Sequence, residues 1–460
     1  RLAKSMECGY PPRNNQPIAG HPSEWMIMRD MLSAGIAIMM NIPICTIMLL
    51  PCSIVIISRH DNLFYEGQNY HQGTNYCTCS ALPATSSLWI WIRWEPVHLQ
   101  LFGEIVLYDI IYRRRPDGVL MPAGDDYPQN RPALLNAYAL FLASSYYKDE
   151  YLAYEFERNP RLDKSGNESM NHCLIYELLW RDYTLKGKSP DDLPLTRYSG
   201  TPYGWMIART GWDANSVIAE MKINEQFVGN HQHMDGGSFQ IYHKGPLAID
   251  AGAYSGSSGG YNSPNNKNYF KRTIAHNSLL VYDPDEKFGC WNYGGGGKTR
   301  FAANDGGQRM CGEGWKTCNS LDSLLSEEYT VGSVLAHGFG PDAQAPDYSY
   351  LKGDITQAYT RKVKEAKRSF VFLNLKSETV PAALIVYDKV SASNPDFRKY
   401  VLGFSRIFLQ LPSDMGHVYP QNLVVAVCKW APYFGNNTLI GHDLAGVLGQ
   451  QGNQFIFNLG

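Results

Sequence analysis

Four of the chain's twelve histidines fall between Gly229 and Pro284, beside an aspartate that closes an apolar run. The stretch holds Asn230-His231-Gln232-His233-Met234-Asp235, then Gly245-Pro246-Leu247-Ala248-Ile249-Asp250, then Lys271-Arg272-Thr273-Ile274-Ala275-His276-Asn277-Ser278. Histidine titrates near neutrality and is the commonest metal ligand, so such clustering points to acid–base work or to a metal. In a strand, His231 and His233 would point to the same face. Asp250 ends a run that reads as a buried strand, where a carboxylate needs a partner or a cation. His276 stands where Thr273-Ile274-Ala275 leads into the apolar Leu279-Leu280-Val281-Tyr282. Two imidazoles and one carboxylate, His233, Asp250 and His276, can form a three-ligand zinc site with water as the fourth ligand. The same three can equally be hydrogen-bonded core residues.

The elements that must position these groups belong to a chain of 460 residues, long enough for two or three domains. An apolar content of 44% and a charged content of 18% describe a globular protein with ample core. The net charge of −2 gives no global attraction to polyanions, so no nucleic-acid partner is expected. An acidic polymer would need local basic clusters. Ten cysteines show no regular framework, and Cys77 and Cys79 are too close for a usual disulfide, so cysteine does not settle the redox compartment. Arg1 to Pro22 is polar and proline-containing, unlike a signal peptide. Met31 to Ser58 lacks charge, but Asn41, Pro43 and Pro51 break it into short pieces, so buried helices are expected there rather than a membrane span.

Residues 62–76, with Phe64, Tyr65, Asn69, Tyr70 and His71, form an aromatic, amide-rich loop suited to hydrogen-bonding and stacking a sugar. Arg113-Arg114-Arg115 reads as a solvated face, or as the local positive field that the net charge lacks. In Gly124-Asp125-Asp126-Tyr127-Pro128 the aspartates read as turn and helix-capping residues. Pro132 to Asn159 and Met170 to Tyr183 carry apolar residues at helical spacing, and Lys186 to Leu195 reads as a linker. After Tyr198 the pattern changes to strands: Tyr203–Arg209, Val217–Ile223, Ser369–Leu375, Ala382–Tyr387 and Tyr400–Leu409. A helical half followed by an antiparallel half is the arrangement expected.

The three words around His231, Asp250 and His276 closely resemble the heparinase II/III family of polysaccharide lyases, with heparinase II as the nearest member. The resemblance extends to His71-Gln72-Gly73 and to Gly124-Asp125-Asp126-Tyr127. It implies an α/α toroid, N-terminally incomplete here, over residues 1–190. An antiparallel β-sandwich would follow over 198–414, and 415–460 would add a further β segment. It makes His233, Asp250 and His276 the ligands of one structural Zn2+ per chain. It makes His71, Tyr127 and His231 catalytic, with Asn230 and Arg131 contacting substrate. Tyr254 and Tyr261, on the glycine-rich loop, are candidate substrate contacts. The resemblance further suggests a dimer and a periplasmic or secreted bacterial enzyme.

The implied reaction is β-elimination of a uronate, in which the C5 proton leaves and the C4–O bond breaks. It needs donors on the carboxylate, a base near C5 and an acid near the bridging oxygen. Tyr127 has the right chemistry for the acid, and for the base toward one C5 epimer; His71 or His231 suits the other. A phenol with a reference pKa near 10 needs a cationic neighbour to act near neutrality, and Arg131 is the candidate. Heparin or heparan sulfate is the favoured polymer, with alginate and chondroitin-type substrates as alternatives. A glycoside hydrolase would need paired carboxylates, and adjacent Asp125 and Asp126 cannot flank one bond from both sides. A non-catalytic carbohydrate-binding protein would explain the aromatics without the histidines.

Overall fold

The computed structural model describes residues 108–125, 137–158, 177–178, 181–227, 232–252, 263–290, 300–310, 326–404, 427–430, 449–451 and 454–459. The chain divides into two units, one of Arg1–Arg114, Arg131–Pro190 and Thr317–Leu325, the other of Arg115–Asn130, Asp191–Lys316 and Ser326–Gly460. Residues 115–125, which the sequence groups with the helices, therefore cluster with the sheets. His71, the apolar Met31–Ser58 run and most of the expected toroid lie outside the described residues.

The first unit contributes three described helices: α1 (Tyr108–Arg113), α2 (Ala137–Tyr147) and α3 (Glu150–Glu157). Asp149 caps α3 by accepting the Leu152 N–H at 2.9 Å, satisfying a first-turn donor that has no partner within the helix. Phe141 of α2 meets Phe156 of α3 edge to face, with ring centres 5.5 Å apart. None of the described helices is long and apolar enough to cross a membrane.

The arginine run is neither a solvated face nor a free positive field. Arg113, Arg114 and Arg115 are all buried. Arg113 lies 3.6 Å from Asp109 one helical turn back, and Arg114 pairs with Glu155. Arg115, in the second unit, pairs with Asp117 at 2.5 Å and stacks over Tyr242. A guanidinium can be buried when a carboxylate is placed against it, and these partners are up to 41 residues away.

The second unit is built of antiparallel sheets. The first runs in sequence order: β1 (Thr196–Ser199), β2 (Trp205–Arg209), β3 (Ile218–Lys222), β4 (Phe239–Tyr242) and β5 (Pro246–Ala248). After β6 (Leu279–Tyr282) come the paired β7 (Phe288–Cys290) and β8 (Arg300–Ala302). A second large sheet contains β9 (Ser333–Gly340), β10 (Tyr348–Asp354), β11 (Val363–Asn374) and β12 (Ala382–Ala392). β14 (Val427–Trp430) joins its β12 edge in parallel. β13 (Arg398–Phe404) pairs with β6 on one side and with β16 (Gln454–Leu459) on the other, and β15 (Gly449–Gln451) pairs with β16.

Alternation explains which face each strand buries. Along β11, Ala366, Arg368, Phe370 and Phe372 point inward, and along β12 Leu384, Val386, Asp388 and Val390 do the same. The two large sheets face each other: Phe239 meets Phe370 at 6.2 Å, and the Thr196 and Ser349 hydroxyls hydrogen-bond at 2.7 Å. β2 and β3 are buried on both faces. Segment 115–125 lies over the other face, where Gln240 donates to the Pro122 carbonyl at 2.8 Å.

Candidate metal centre

His233, Asp250 and His276 come together, as their sequence words predict. One donor atom from each lies within 4.8 Å of the others, and all three side chains are buried, at 1%, 6% and 1% exposure. Their supports differ from the sequence expectation. His233 is on no strand; it lies in the loop between β3 and β4. β5 is half-buried rather than buried, and Asp250 follows it by two residues. His276 follows a 3-10 turn, Thr273–Ala275, where the chain enters β6.

Hydrogen bonds fix each loop. The Met234 N–H donates to Lys271 O at 2.9 Å, and Thr273 Oγ1 donates to Met234 O at 2.8 Å. Gly236 is held by Gln308, which accepts its N–H at 3.1 Å and donates to its carbonyl at 2.6 Å. Gly237 has φ +73°, a left-handed conformation that turns the loop into β4 and favours glycine. The Asn277 amide donates to the carbonyls of Phe239 and Ile249 at 2.8 and 2.9 Å, joining the His276 segment to β4 and to the chain before Asp250. The Gly252 N–H donates to Asp250 Oδ1 at 2.8 Å.

The donor set fits a cation. His276 Nδ1 stands 3.0 Å from Asp250 Oδ1, and His276 Nε2 has no hydrogen-bond partner among the described residues. His233 Nδ1 likewise has none. Setting aside His276 Nδ1, which faces Asp250, the two buried nitrogens His233 Nδ1 and His276 Nε2 would cost roughly 1–3 kcal/mol each if left so. Three buried donor atoms within 4.8 Å of one another are placed as ligands of a shared ion are.

The surrounding charge agrees. Lys222 lies 3.1 Å from both Glu220 and Asp235, over the Trp205 ring, and Lys271 lies 3.2 Å from Asp125. A cation held between two neutral imidazoles and Asp250 would offset the charge of that buried carboxylate. Without a metal, desolvation opposes the charged forms of both His276 and Asp250. Their mutual attraction outweighs it, raising the His276 pKa and lowering that of Asp250. Burial lowers the pKa of His233, against the pull of Asp125.

Asp125 is the residue that sequence reading missed. It is fully buried: its Oδ1 lies 3.0 Å from His233 Nε2, and Asn266 donates to the same oxygen at 3.4 Å. A sequence separation of 108 leaves no local signal for this pairing. The other predicted site residues, His71, Tyr127, Arg131, Asn230, His231, Tyr254 and Tyr261, lie outside the described residues.

The sheets and the buried His–Asp–His cluster thus define an antiparallel sandwich with a candidate cation centre at its loops. Residues 199–316 match the family described as heparinase II/III-like, C-terminal. The fold is similar to the crystal structure of heparan sulfate lyase HepC from Pedobacter heparinus. That match has a TM-score of 0.53 and 14% identity, and covers 88% of this chain and 50% of that one. It is also similar to a heparinase III, the BT4657 gene product, at a TM-score of 0.50 and 15% identity, covering 88% of this chain and 49% of that one. Neither is heparinase II, the member to which the sequence words point. The chain spans about half the length of these structures. No curated protein matches it.

Proposed function

We propose that this chain is the sandwich-bearing part of a polysaccharide lyase that cleaves uronate-containing glycosaminoglycan, heparin or heparan sulfate first, by β-elimination. The observation that carries the reading is the buried His233–Asp250–His276 cluster, lying within a family-matched domain. The solved structures of similar fold, named as a heparan sulfate lyase and a heparinase III, support the substrate class. An α/α toroid before the sandwich belongs to the same proposal, as do a homodimer and a periplasmic or secreted location.

The three ligands would hold Zn2+, leaving a fourth position for water. With side chains at most 6% exposed, they are out of reach of a polymer, so the ion's part is to hold loops together. Proton transfer falls to the chain's own residues. His231 precedes His233 by two residues, and Tyr127 follows Asp125 by two, so each candidate neighbours an anchored position in sequence. Tyr127 would protonate the bridging oxygen, and would serve as base for one C5 epimer. His71 or His231 would take the C5 proton of the other. Asn230 and His231 would neutralise the uronate carboxylate, and Arg131 would ease ionisation of the phenol.

Incubation with heparin, heparan sulfate, alginate and chondroitin sulfate tests the proposal. A rise in ultraviolet absorbance from an unsaturated uronate end is expected with the first two. A water-added end would replace the reading with a hydrolase, and unchanged polymer in every case would reduce it to binding.

A further inference from the structure

We propose that Asp125 is a positioning residue. It holds His233 with Nε2 protonated, so that Nδ1 is the atom offered to the cation, and it thereby couples metal occupancy to the order of segment 115–125. The inference rests on the metal reading above and goes beyond it, because Asp125 is not one of the three mutually close donors.

The argument begins with the carboxylate. Asp125 accepts from His233 Nε2 at 3.0 Å and from Asn266 Nδ2 at 3.4 Å on Oδ1, while Lys271 Nζ stands 3.2 Å from Oδ2. Donors from Asn266 and Lys271 already converge on this carboxylate, so its place in the arrangement is that of an acceptor. His233 Nε2 must therefore carry a proton. In a neutral imidazole the other nitrogen then has a free lone pair, and His233 Nδ1 is the atom without a hydrogen-bond partner. A carboxylate behind a ligating imidazole fixes its tautomer and ring orientation and raises its basicity. Both side chains of the pair are wholly buried, so water cannot substitute for either.

The second half concerns what Asp125 is attached to. Segment 115–125 packs over the sheet: Leu120, Met121 and Ala123 are buried, Gln240 donates to Pro122 O, and Arg115 lies 4.9 Å from the Tyr242 ring centre. At its end, Asp125 joins two metal-bearing segments at once, through His233 and through Lys271, which lies five residues before His276. An ion that fixes His233 fixes the donor to Asp125. By linkage, an ordered 115–125 segment must favour the ion by the same factor.

The test uses the full chain with zinc as the probe, measured by competition against a chromophoric chelator. Asp125→Ala is expected to weaken zinc binding about 10- to 100-fold, the usual cost of losing such a partner. Asp125→Asn retains an acceptor oxygen without the charge and is expected to weaken it only about 3- to 10-fold. Cobalt substitution supplies a readout that a structural role would not move. The d–d bands should change in Asp125→Ala and remain wild-type in Asp125→Asn. Hydrogen exchange of peptides over 115–125 should slow on metal loading in the wild type and not in Asp125→Ala. A folded variant of either kind that binds zinc as tightly as the wild type overturns the inference. Metal-independent exchange of 115–125 in the wild type overturns the coupling. A wild type that takes up no metal removes the metal reading itself, and this inference with it.

Discussion

Arg368 and Asp388 stand directly opposite each other on β11 and β12 and pair through two hydrogen bonds, at 2.6 and 2.7 Å. The remaining arginine nitrogen donates to the carbonyls of Gly237 and Asn277 at 2.5 and 3.0 Å. One buried side chain of the second sheet thus grips the backbone just after His233 and just after His276. Arg368→Met keeps the volume but leaves Asp388 charged and two carbonyls without their donor. A loss of about 3–5 kcal/mol in denaturant unfolding is expected, the range for breaking one side of a buried ion pair. Zinc affinity should fall with it. A variant as stable as the wild type would show that the pair is dispensable to the fold.

Gly252 sits where the Asp250 segment passes His276. A Cβ there would collide with the Phe270 carbonyl oxygen and stand 2.9 Å from His276 Cε1 and 3.0 Å from Asp250 Oδ1. Backbone on one side and two ligands on the other leave no flexible neighbour to yield. Gly252→Ala is expected to cost about 1–3 kcal/mol by overpacking and to weaken metal binding at least tenfold. Thermal unfolding with and without chelator separates the two effects. Unchanged zinc uptake would mean that the site tolerates displacement of both ligands.

Proton competition gives the centre a signed pH dependence. In the metal-free protein His276 has a raised pKa, so its ion pair with Asp250 stabilises the fold below the unfolded histidine value. That contribution is lost as pH rises through the folded one. Asp250, lowered, contributes above the unfolded carboxylate value and loses its contribution as pH falls through the folded one. A metal needs the His276 lone pair and must displace that proton, whereas burial already keeps His233 neutral. The gain in Tm on adding zinc should therefore grow from about pH 5.5 to about pH 8. A gain that is flat or falls over this range would argue against His276 as a ligand.

Much of the sandwich was legible because strands carry local signals. Ala382–Tyr387 and Val217–Ile223 announce β12 and β3 by apolar content and β-branching, and the structure extends β12 to Ala392. His233, Asp250 and His276 were legible as types, since buried imidazole and carboxylate rarely lack a task. Their supports were not, because a loop closed by Gly237 and Gln308 depends on a partner 72 residues away. The same limit hid Asp125 and the buried arginines. A sequence window shows that a charge exists, and only the fold shows the countercharge that allows its burial.

Removing the metal and removing the phenol should both lower turnover but differ in their effect on stability. His233→Ala deletes a ligand and the donor to Asp125, so stability and turnover should fall together, with Tm no longer responding to chelator. The drop expected is about 2 kcal/mol or more, since Asp125, Asp250 and His276 lose compensation in a buried site. Tyr127→Phe removes one hydroxyl proposed to transfer a proton, so the fold and zinc content should stay wild-type. Its kcat should fall at least 100-fold, the scale of general acid–base catalysis. Measuring both variants against heparan sulfate, with zinc content and unfolding on the same samples, separates a structural metal from a catalytic one. Should His233→Ala lose turnover while keeping wild-type stability, the ion belongs to the chemistry. Should Tyr127→Phe retain full turnover, another group is the acid and the phenol is a bystander.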